Sequence, residues 1–532
     1  MAEAATPEKD EQISRNAAGH GPCQETEKCE AIPEIPYTIF QPRERKLIVL
    51  LVGFAAITSP LTATVYFPLL PMLRSQFNVS SQDINLTLTI YVIFQAISPA
   101  IFGPLSDAIG RRPVFLITLA IYGLGNLTLA INLSNYPVLL FARAIQSLGA
   151  SATFAISYGI IADICVPSER GSMAGLVNTT LNLGTCIGPI LGGLVAYLSG
   201  NTRWIFVALT AVAVLLLLLV GLFLPETGRN IVGNGGQRLR ESLWQESWWQ
   251  LLAKHTIRRS ATKAELPDSI KTPGNPLYES LKTLDARSFL ASLRIIFYPE
   301  AFVALWIHGS FYAVDYSMSA AVPDIYKTVY GFNELMVGLS FVPRGVGIMV
   351  GGYCNGKLMD HHYRVIAKRN NVTVDKVKGD DMATFPIEHA RSRGSFVLLA
   401  IATATLLGYG WAVKERIHFS IPLILQLIQG FWGTCFYTMY NTLLVDMFSD
   451  NASTAAASAS VFRCTMAAVA VAILQPLLDA LDRGWYFTVL GLWSGIGGVF
   501  AVWLLRRKGM KWRQKRQSRA NRTNAPGSGG SE

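Results

Sequence analysis

The sequence has little charge: Asp, Glu, Lys and Arg make up only 15% of its 532 residues, whereas 51% of the residues are hydrophobic. Cysteines are also few, seven in all, and none forms a Cys-x-x-Cys pair, so we predict no disulfide framework and no metal site. We find no nucleophile beside a base and no phosphate-binding loop. The sequence therefore predicts neither an enzyme nor a cofactor, and the first 46 residues predict no cleavable signal peptide.

What the sequence has instead is a series of long apolar stretches. About 20 helical residues, at about 1.5 Å each, cross a hydrocarbon core of about 30 Å. We predict twelve spans of this kind, at 47–71, 84–106, 113–132, 137–163, 171–198 and 204–224, and at 298–322, 334–357, 395–412, 420–446, 454–479 and 485–505. The sequence therefore predicts an all-α polytopic membrane protein.

The spans fall into two groups of six with polar segments around them. We predict a disordered cytoplasmic arm at 1–46, an N-terminal six-helix bundle at 47–224, a central loop at 225–297, a C-terminal six-helix bundle at 298–505 and a basic tail at 506–532. A second loop, 357–393, interrupts the C-terminal bundle. Because 1–36 and 513–532 are polar and can bury little apolar surface, we expect both ends of the chain to be disordered.

Most of the 46 Lys and Arg residues fall in the two termini, the central loop and the 357–393 loop. Cationic loops stay on the cytoplasmic side, so we expect both termini in the cytoplasm. The net charge of +11 then reflects topology and attraction of the tail to anionic lipid, and we predict no nucleic-acid partner. On the opposite side, Asn78-Val79-Ser80 is a predicted glycosylation site.

Between spans 2 and 3 lies the segment GPLSDAIGRRP, residues 103–113. Gly103 and Gly110 are expected to permit a tight turn and the close approach of a neighbouring segment. The carboxylate of Asp107 can pair with a cation or cap a neighbouring helix, which is one way to hold a gate closed. The gating residues predicted in this segment are Gly103, Asp107, Gly110, Arg111 and Arg112.

Span 5 carries a second pattern, a stripe of glycines with one proline. Small residues at this spacing let a second helix approach to backbone distance, and proline permits a bend that can act as a hinge. The residues of this stripe are Gly184, Gly188, Pro189, Gly192 and Gly193. Helix packing without a hinge is the alternative interpretation.

The motifs together resemble those of the major facilitator superfamily. The segment 103–113 matches its G-x-L-x-D-x-x-G-R-R/K signature, and RAIQSLGA in span 4 is similar to its R-x-x-Q-G-x-G motif, with Ser147 in place of the first glycine. GTCIGPILGG in span 5 resembles the G-x-x-x-G-P-x-x-G-G motif of its antiporter branches. The resemblance covers all twelve spans and implies the major facilitator fold, two six-helix bundles that rock about a central site.

Three further stretches, LPETGRNIVGNG, GKLMDHHYR and FPIEHARSR, resemble fungal twelve-span drug:proton antiporters. GKLMD is similar to the signature segment of the first half, with His361 and His362 where an arginine pair is expected. The resemblance implies proton-driven export of a small molecule. We expect a monomer in the plasma membrane, with the vacuolar membrane as an alternative.

Several polar residues lie near the middle of predicted spans. Counted at about 1.5 Å per residue, Arg344, Arg463 and His308 are each about 14 to 15 Å from a span end. Tyr312 and Asp315 follow His308 on the same helical face. A charge at this depth costs at least about 2.5 kcal/mol and normally faces a cavity or a partner. One hypothesis is an internal ion pair of Asp315 with either arginine; the other, which we favour, is that a surplus arginine binds a carboxylate.

The proton carriers that the sequence suggests are Asp315 and His308, because both titrate and lie within a span. The resemblance adds Arg143 as a residue implicated in proton transfer. Amides that could line a substrate cavity are Gln95, Asn182 and Gln426, although each could instead bond helix to helix.

These patterns favour proton-coupled export of a small organic metabolite or toxin that bears a carboxylate. A citrate or organic-acid exporter and a broad multidrug efflux pump stay open as alternatives. A membrane sensor that does not transport is a fourth hypothesis, which the gate and hinge motifs disfavour.

Overall fold

The structure is a computed structural model, and it describes residues 38–132, 134–165, 167–232, 294–369, 385–448 and 452–524. The described residues form helices, and no strand occurs among them. Most of the predicted arm, most of the central loop and residues 370–384 of the second loop lie outside the described residues, so those predictions stay predictions.

The first six spans all coincide with helices. Span 1 is broken into Pro42–Ala56, Thr58–Val65, a short 3-10 turn at Phe67–Leu69 and Leu70–Phe77. Spans 2 to 6 are Ser81–Ile109, Arg111–Ile131, Tyr136–Ile164, Pro167–Ser199 and Arg203–Phe223. A four-residue helix, Arg229–Val232, follows span 6.

The second six spans also coincide with helices. Span 7 is Pro299–Tyr330, span 8 consists of Glu334–Leu339 and Val342–Arg369, and a short helix, Ile387–Arg391, comes before span 9. Spans 9, 10 and 11 are Ser395–Lys414, Ser420–Met447 and Ala452–Ala472. Span 12 belongs to Leu474–Asn524, a helix broken at Asp482, where φ is 63° and ψ is 159°.

One prediction about the end of the chain was wrong. Span 11 extends to near its predicted end at 479, because Ala452–Ala472 continues through a bend at Ile473 into residues 474–481, and the helix breaks only at Asp482, before span 12. The last helix, however, continues through the basic tail to Asn524, so residues 513–524 are helical and not disordered. Their order is explained by contacts that the tail makes with the C-terminal bundle, which sequence polarity alone does not reveal.

Ten of the described helices are long and apolar enough to cross a membrane. The two other spans, 7 and 10, carry polar residues at mid-depth, among them Asp315 and Gln429. The chain is thus a polytopic membrane protein whose most polar helices lie in its C-terminal bundle.

Side-chain caps mark where several spans begin. Ser80 accepts a hydrogen bond from the Asp83 N–H at 3.1 Å, in a capping box that starts span 2. Asn135 and Asn333 cap span 4 and span 8 in the same way, at 3.2 Å and 2.8 Å.

Glycines bring the helices of each bundle into backbone contact. In the N-terminal bundle, a Cβ on Gly184 would lie 2.6 Å from Cγ1 of Ile57, so span 5 packs directly on span 1. In the C-terminal bundle, a Cβ on Gly351 would lie 2.7 Å from the carbonyl oxygen of Phe431, so span 8 packs directly on span 10. The close approach predicted for the span 5 stripe is therefore confirmed, with span 1 as the partner.

The two bundles are in contact at one end, which we call the Phe67 end, and the contact between spans 5 and 8 continues to Gly345, where a Cβ would lie 3.0 Å from Cβ of Cys186. The ring of Phe67 lies 5.9 Å from the ring of Phe341, with the planes 4° apart, and 5.5 Å from the ring of Tyr316. Beside it, a Cβ on Gly193 would lie 2.8 Å from Cα of Gly338. We call the opposite end, which carries the Arg111 turn and the basic tail, the basic end.

Candidate functional site

At mid-depth in the C-terminal bundle, Arg344 and Asp315 form an ion pair. Nη2 of Arg344 lies 2.7 Å from Oδ2 of Asp315, and Nε2 of Gln429 donates to Oδ1 of the same carboxylate at 2.9 Å. Arg344 is buried, and Asp315 is half-buried. The pair spans the gap between spans 7 and 8, so the internal ion pair that the sequence left open forms with Arg344.

Arg463 is arranged differently. Its guanidinium lies over two tyrosine rings, 4.9 Å from the centre of Tyr312 and 5.2 Å from that of Tyr437. Throughout the part of the chain that the structure describes, Arg463 has no hydrogen bond or ion pair with protein. Arg463 and both tyrosines are half-buried, so its N–H groups are available to a ligand.

His308 lies beside this arginine. Its side chain is 3% exposed, and neither ring nitrogen has a hydrogen-bond partner among the described residues. Its ring centre is 5.1 Å from that of Tyr437. Burial next to a guanidinium disfavours a second positive charge, so the neutral imidazole offers one donor and one acceptor. We name His308, Tyr312, Tyr437 and Arg463 the Arg463 cluster.

The buried arginine of the N-terminal bundle, Arg143, is enclosed. It is fully buried, its Nη1 donates to Oε1 of Gln146 at 2.5 Å, and Gln146 donates to Asn126 at 2.6 Å. The guanidinium lies 3.9 Å from the ring centre of Tyr66 and 4.3 Å from that of Tyr91. Arg143 is thus linked to neighbouring helices and is not accessible to a ligand in this structure.

The predicted cavity amides differ in position. Gln426 was wrong as a cavity residue: it is fully buried, and its Nε2 donates to the hydroxyl of Tyr326 at 3.1 Å inside the C-terminal bundle. Gln95 is half-buried, with its Nε2 3.5 Å from Oγ of Ser59, and Asn182 is half-buried on span 5. Helix periodicity gives a residue's depth but did not separate the cavity face of span 10 from the packed face.

The predicted gating turn is built around Arg111. Its Nε lies 2.8 Å from Oδ2 of Asp163 at the end of span 4, and its Nη2 lies 2.5 Å from Oδ1 of Asp107. Gly110 has φ 122°, which favours glycine, whereas a Cβ on Gly103 would meet no atom within 4 Å. The close approach expected at Gly103 was therefore wrong, because its side of span 2 is open.

Arg112 and Glu226 complete this turn. Arg112 is fully buried, and its Nη2 donates to the carbonyl of Gly221 at 2.7 Å. Glu226, which sequence reasoning missed, accepts backbone N–H groups of Arg111 at 2.9 Å, Arg112 at 3.2 Å, Thr227 at 2.9 Å and Gly228 at 2.8 Å. Burial raises the pKa of Glu226, and these N–H donors oppose the rise. The LPETGRN stretch contained the signal, an acid just past a helix end.

The basic end of the C-terminal bundle repeats the arginine pairing. Nε of Arg391 lies 2.9 Å from Oδ2 of Asp446 at the end of span 10. This pair corresponds to Arg111 with Asp163. Sequence reasoning sought the second arginine beside GKLMD and found His361 and His362, whereas the arginine that forms the pair lies further along the sequence, in the FPIEHARSR stretch.

The tail helix binds to the same region. Nε of Arg513 lies 2.9 Å from Oε1 of Glu388, with both side chains 1% exposed, and Nε of Arg516 lies 2.8 Å from Oε1 of Glu300. These contacts fix the helix that follows span 12 beneath spans 7 and 9.

The glycine stripe of span 5 has two faces. Gly184, Gly188 and Gly192 face span 1, where a Cβ would overlap Ile57, Thr64 and Val65 respectively. Gly193 faces the C-terminal bundle, and Pro189 is buried within the helix. At the Phe67 end, the predicted glycosylation residue Asn78 is exposed and has φ 50° at the end of Leu70–Phe77.

Comparison with known proteins identifies the family. The family model described as Major Facilitator Superfamily matches residues 52–373. "MFS-type transporter phiD" of a fungal species is 33% identical, over 91% of this chain and 71% of that protein. "Citrate exporter 1" of Aspergillus niger is 34% identical, over 91% of this chain and 90% of that protein. "Multidrug transporter AQR1" of Candida glabrata is 29% identical, over 91% and 80%.

Solved structures share the fold. A crystal structure of a D-xylose-proton symporter superposes with a TM-score of 0.58 at 15% sequence identity, covering 86% of this chain and 97% of that one. The human organic anion transporter MFSD10 (TETRAN) gives a TM-score of 0.51 at 17% identity, covering 87% and 100%.

Proposed function

The chain belongs to the major facilitator superfamily, and we propose that it is a secondary active transporter that exports a small, carboxylate-bearing organic metabolite in exchange for protons. Its relatives are transporters of that family, among them a citrate exporter and multidrug transporters. We further propose that it works as a monomer in the plasma membrane, with both termini and the basic end in the cytoplasm.

The observation that carries the proposal is the unpaired charge of Arg463. Asp315 neutralises Arg344, so the second mid-depth arginine of this bundle is left with two aromatic faces and no carboxylate. A charge at mid-depth normally has a partner or faces a cavity, because leaving it uncompensated is costly. A carboxylate is the ligand that a guanidinium binds in bidentate geometry.

We assign proton coupling to Asp315. Among the predicted carriers, His308 is disfavoured because Arg463 lies beside it, and Arg143 stays charged at any working pH. Protonation of Asp315 neutralises the carboxylate that pairs with Arg344 and accepts a hydrogen bond from Gln429. Since these residues lie on spans 7, 8 and 10, the contact between the three spans changes. Proton binding then shifts the equilibrium between the inward-facing and outward-facing arrangements of the helices. The size of the shift is set by the difference in proton affinity between the two states.

The contacts between bundles support an alternating-access cycle. They include stacked rings and glycine contacts at the Phe67 end. With the basic end in the cytoplasm, this arrangement corresponds to an inward-facing state. Export requires these contacts to separate while the predicted gate residues of the basic end come together.

The proposal is tested in proteoliposomes that contain the purified full chain. A pH gradient, acidic on the release side, should drive transport of a labelled carboxylate, and Arg463→Gln should abolish it. Arg463→Lys, which keeps the charge, should retain part of the rate. Transport of citrate alone would favour the activity named for the 34% identical relative. Transport of a cationic dye that is unaffected by Arg463→Gln would refute the carboxylate assignment and favour a multidrug pump.

A further inference from the structure

We infer that the ligand of the Arg463 cluster is a monovalent carboxylate joined to a flat, conjugated ring system. This inference rests on the proposed function and deepens it, because it specifies the charge and the shape of the substrate. Two independent observations carry it: the charges of the groups that face the ligand, and the aromatic character of the surfaces around them.

The charges near Arg463 include one neutral ion pair. Arg344 and Asp315 cancel at 2.7 Å, and His308 is buried without a charged partner. Arg463 therefore contributes one uncompensated positive charge to the cavity face of this bundle. Arg143 adds a positive field, but it is fully buried behind Tyr66 and Tyr91, and no N–H of it is accessible to a ligand.

A single accessible guanidinium matches one carboxylate. Citrate carries about three negative charges at pH 7, since ordinary carboxyl groups titrate near pH 4. Two of its carboxylates would lack a cation at a depth where uncompensated charge is costly. The cluster therefore disfavours citrate, although one relative of similar length is named as its exporter.

The surroundings of Arg463 are aromatic. Tyr312 and Tyr437 present their faces to the guanidinium, and the ring of His308 lies 5.1 Å from Tyr437. On span 4, the rings of Phe154 and Tyr158 lie 4.9 Å apart, and both side chains are half-buried. A flat ligand gains stacking contacts on surfaces of this kind, which a saturated ligand of equal size does not make as well.

His308 borders this site as a buried ring. Its side chain is 3% exposed, both ring nitrogens are buried, and its ring centre lies 5.1 Å from that of Tyr437. The guanidinium of Arg463 is therefore the group of this cluster that can reach a carboxylate.

The test measures binding by the purified full chain in lipid nanodiscs, using isothermal titration calorimetry at pH 7. The probes are 2-naphthoate, its uncharged isostere 2-naphthamide, its saturated form decahydro-2-naphthoate, and citrate. We expect 2-naphthoate to bind at least about tenfold more tightly than each of the other three. Arg463→Gln should weaken 2-naphthoate binding by about 10- to 100-fold, as expected for a lost charged hydrogen bond.

A matched pair of variants tests the charge count without changing Arg463. Arg344→Gln leaves the Asp315 charge unpaired, which cancels the field of Arg463 and should weaken 2-naphthoate binding by at least about tenfold. Asp315→Asn with Arg344→Gln removes the ion pair while the net charge stays the same, and it should restore binding. These two variants decide the question even if Arg463→Gln does not fold.

Citrate binding as tight as that of 2-naphthoate, or unchanged 2-naphthoate binding in Arg463→Gln, would overturn the inference. So would equal weakening in Arg344→Gln and the double variant. Failure of the proposed function has a different signature, namely 2-naphthoate binding without flux under a pH gradient. Flux of citrate or of a cationic dye without 2-naphthoate binding would instead leave transport in place and reject this ligand class.

Discussion

At the basic end, the N-terminal bundle pairs Arg111 with Asp163, and the C-terminal bundle pairs Arg391 with Asp446. Each pair connects the segment at or before the third span of its bundle with the end of the fourth. At mid-depth the two bundles differ. Arg143 is enclosed by rings and an amide, whereas half-buried Arg463 lies over two tyrosine rings and has no hydrogen bond or ion pair with the described residues.

The arginine–aspartate pairs at the basic end belong to the helix packing that both bundles share. The difference between Arg143 and Arg463 concerns the proposed substrate site. Both bundles need helices held together at the basic end, and both use arginine with aspartate for this purpose. A polar site for one substrate needs only one of them. The proposed site lies in the C-terminal bundle, whose spans 7 and 10 carry polar residues at mid-depth and are not among the ten clearly apolar helices of the described chain.

The largest effect should come from Glu388→Gln in the C-terminal bundle. This change removes the carboxylate that pairs with Arg513, where both side chains are 1% exposed. Breaking a buried ion pair costs about 3–5 kcal/mol, because the remaining charge loses its compensation. We expect a matching fall in the free energy of unfolding, measured by denaturation in detergent.

Glu226→Gln is the matched variant in the N-terminal bundle. Glu226 accepts backbone N–H groups, and an amide oxygen can replace part of that acceptor capacity. The loss should be smaller, about 1–2 kcal/mol. Equal losses in both variants would show that the two buried glutamates play the same role and would remove this difference between the bundles.

Gly188→Val should come next. A Cβ here would overlap Oγ1 of Thr64, and Gly347→Val would likewise force a side chain into the carbonyl of Leu427 in the other bundle. Overpacking costs about 1–3 kcal/mol, so both variants should lower the unfolding temperature to a similar degree. Gly103→Ala is the control: with no atom within 4 Å of the new Cβ, it should be neutral or slightly stabilising. A loss at Gly188 alone would mean that only one bundle depends on glycine contacts.

Phe67→Ala tests the contact between the bundles. The change removes the Phe67 ring and with it the ring contacts to Tyr316 and Phe341. Each aromatic pair is worth about 0.5–1.5 kcal/mol. The Phe67 end should open more often. Electron-electron double resonance between spin labels at Ser75 and Lys327, in a background without other reactive cysteines, should then show a larger population at long distance. Phe54→Ala, at a residue 46% exposed on the same span, should leave that population unchanged.

The sequence predicted most of the helices, because a helix that crosses a membrane needs an apolar stretch of about 20 residues. All twelve predicted spans coincide with helices, and the main error lies in the basic tail, where the last helix continues to Asn524. The helical tail was missed because its partners, Glu300 and Glu388, are more than 100 residues away in sequence.

The candidate site could be predicted in part. Depth along the helix placed Arg344, Arg463 and His308 at the same level, with Asp315 about two turns beyond His308, but it could not decide which arginine pairs with the acid. That choice depends on the rotation of span 8 against span 7, which places Arg344 at 2.7 Å. The same limit explains Gln426, whose face on span 10 is packed against Tyr326.

The smallest effect is expected at the Phe67 end of the C-terminal bundle, for Lys327→Met. Nζ of Lys327 lies 3.1 Å from Oε1 of Glu334, which is close to the 2.7 Å of Arg344 and Asp315. Exposure separates the two pairs: the side chains are 43% and 26% exposed in the first and 10% and 16% in the second. Water screens the exposed pair, and such pairs contribute about 0.2–1 kcal/mol. The unfolding free energy should therefore change by less than about 1 kcal/mol, and its difference from that of the unsubstituted protein should shrink as the salt concentration rises. A larger loss would mean that the pair joins span 7 to span 8 as firmly as the buried pair does.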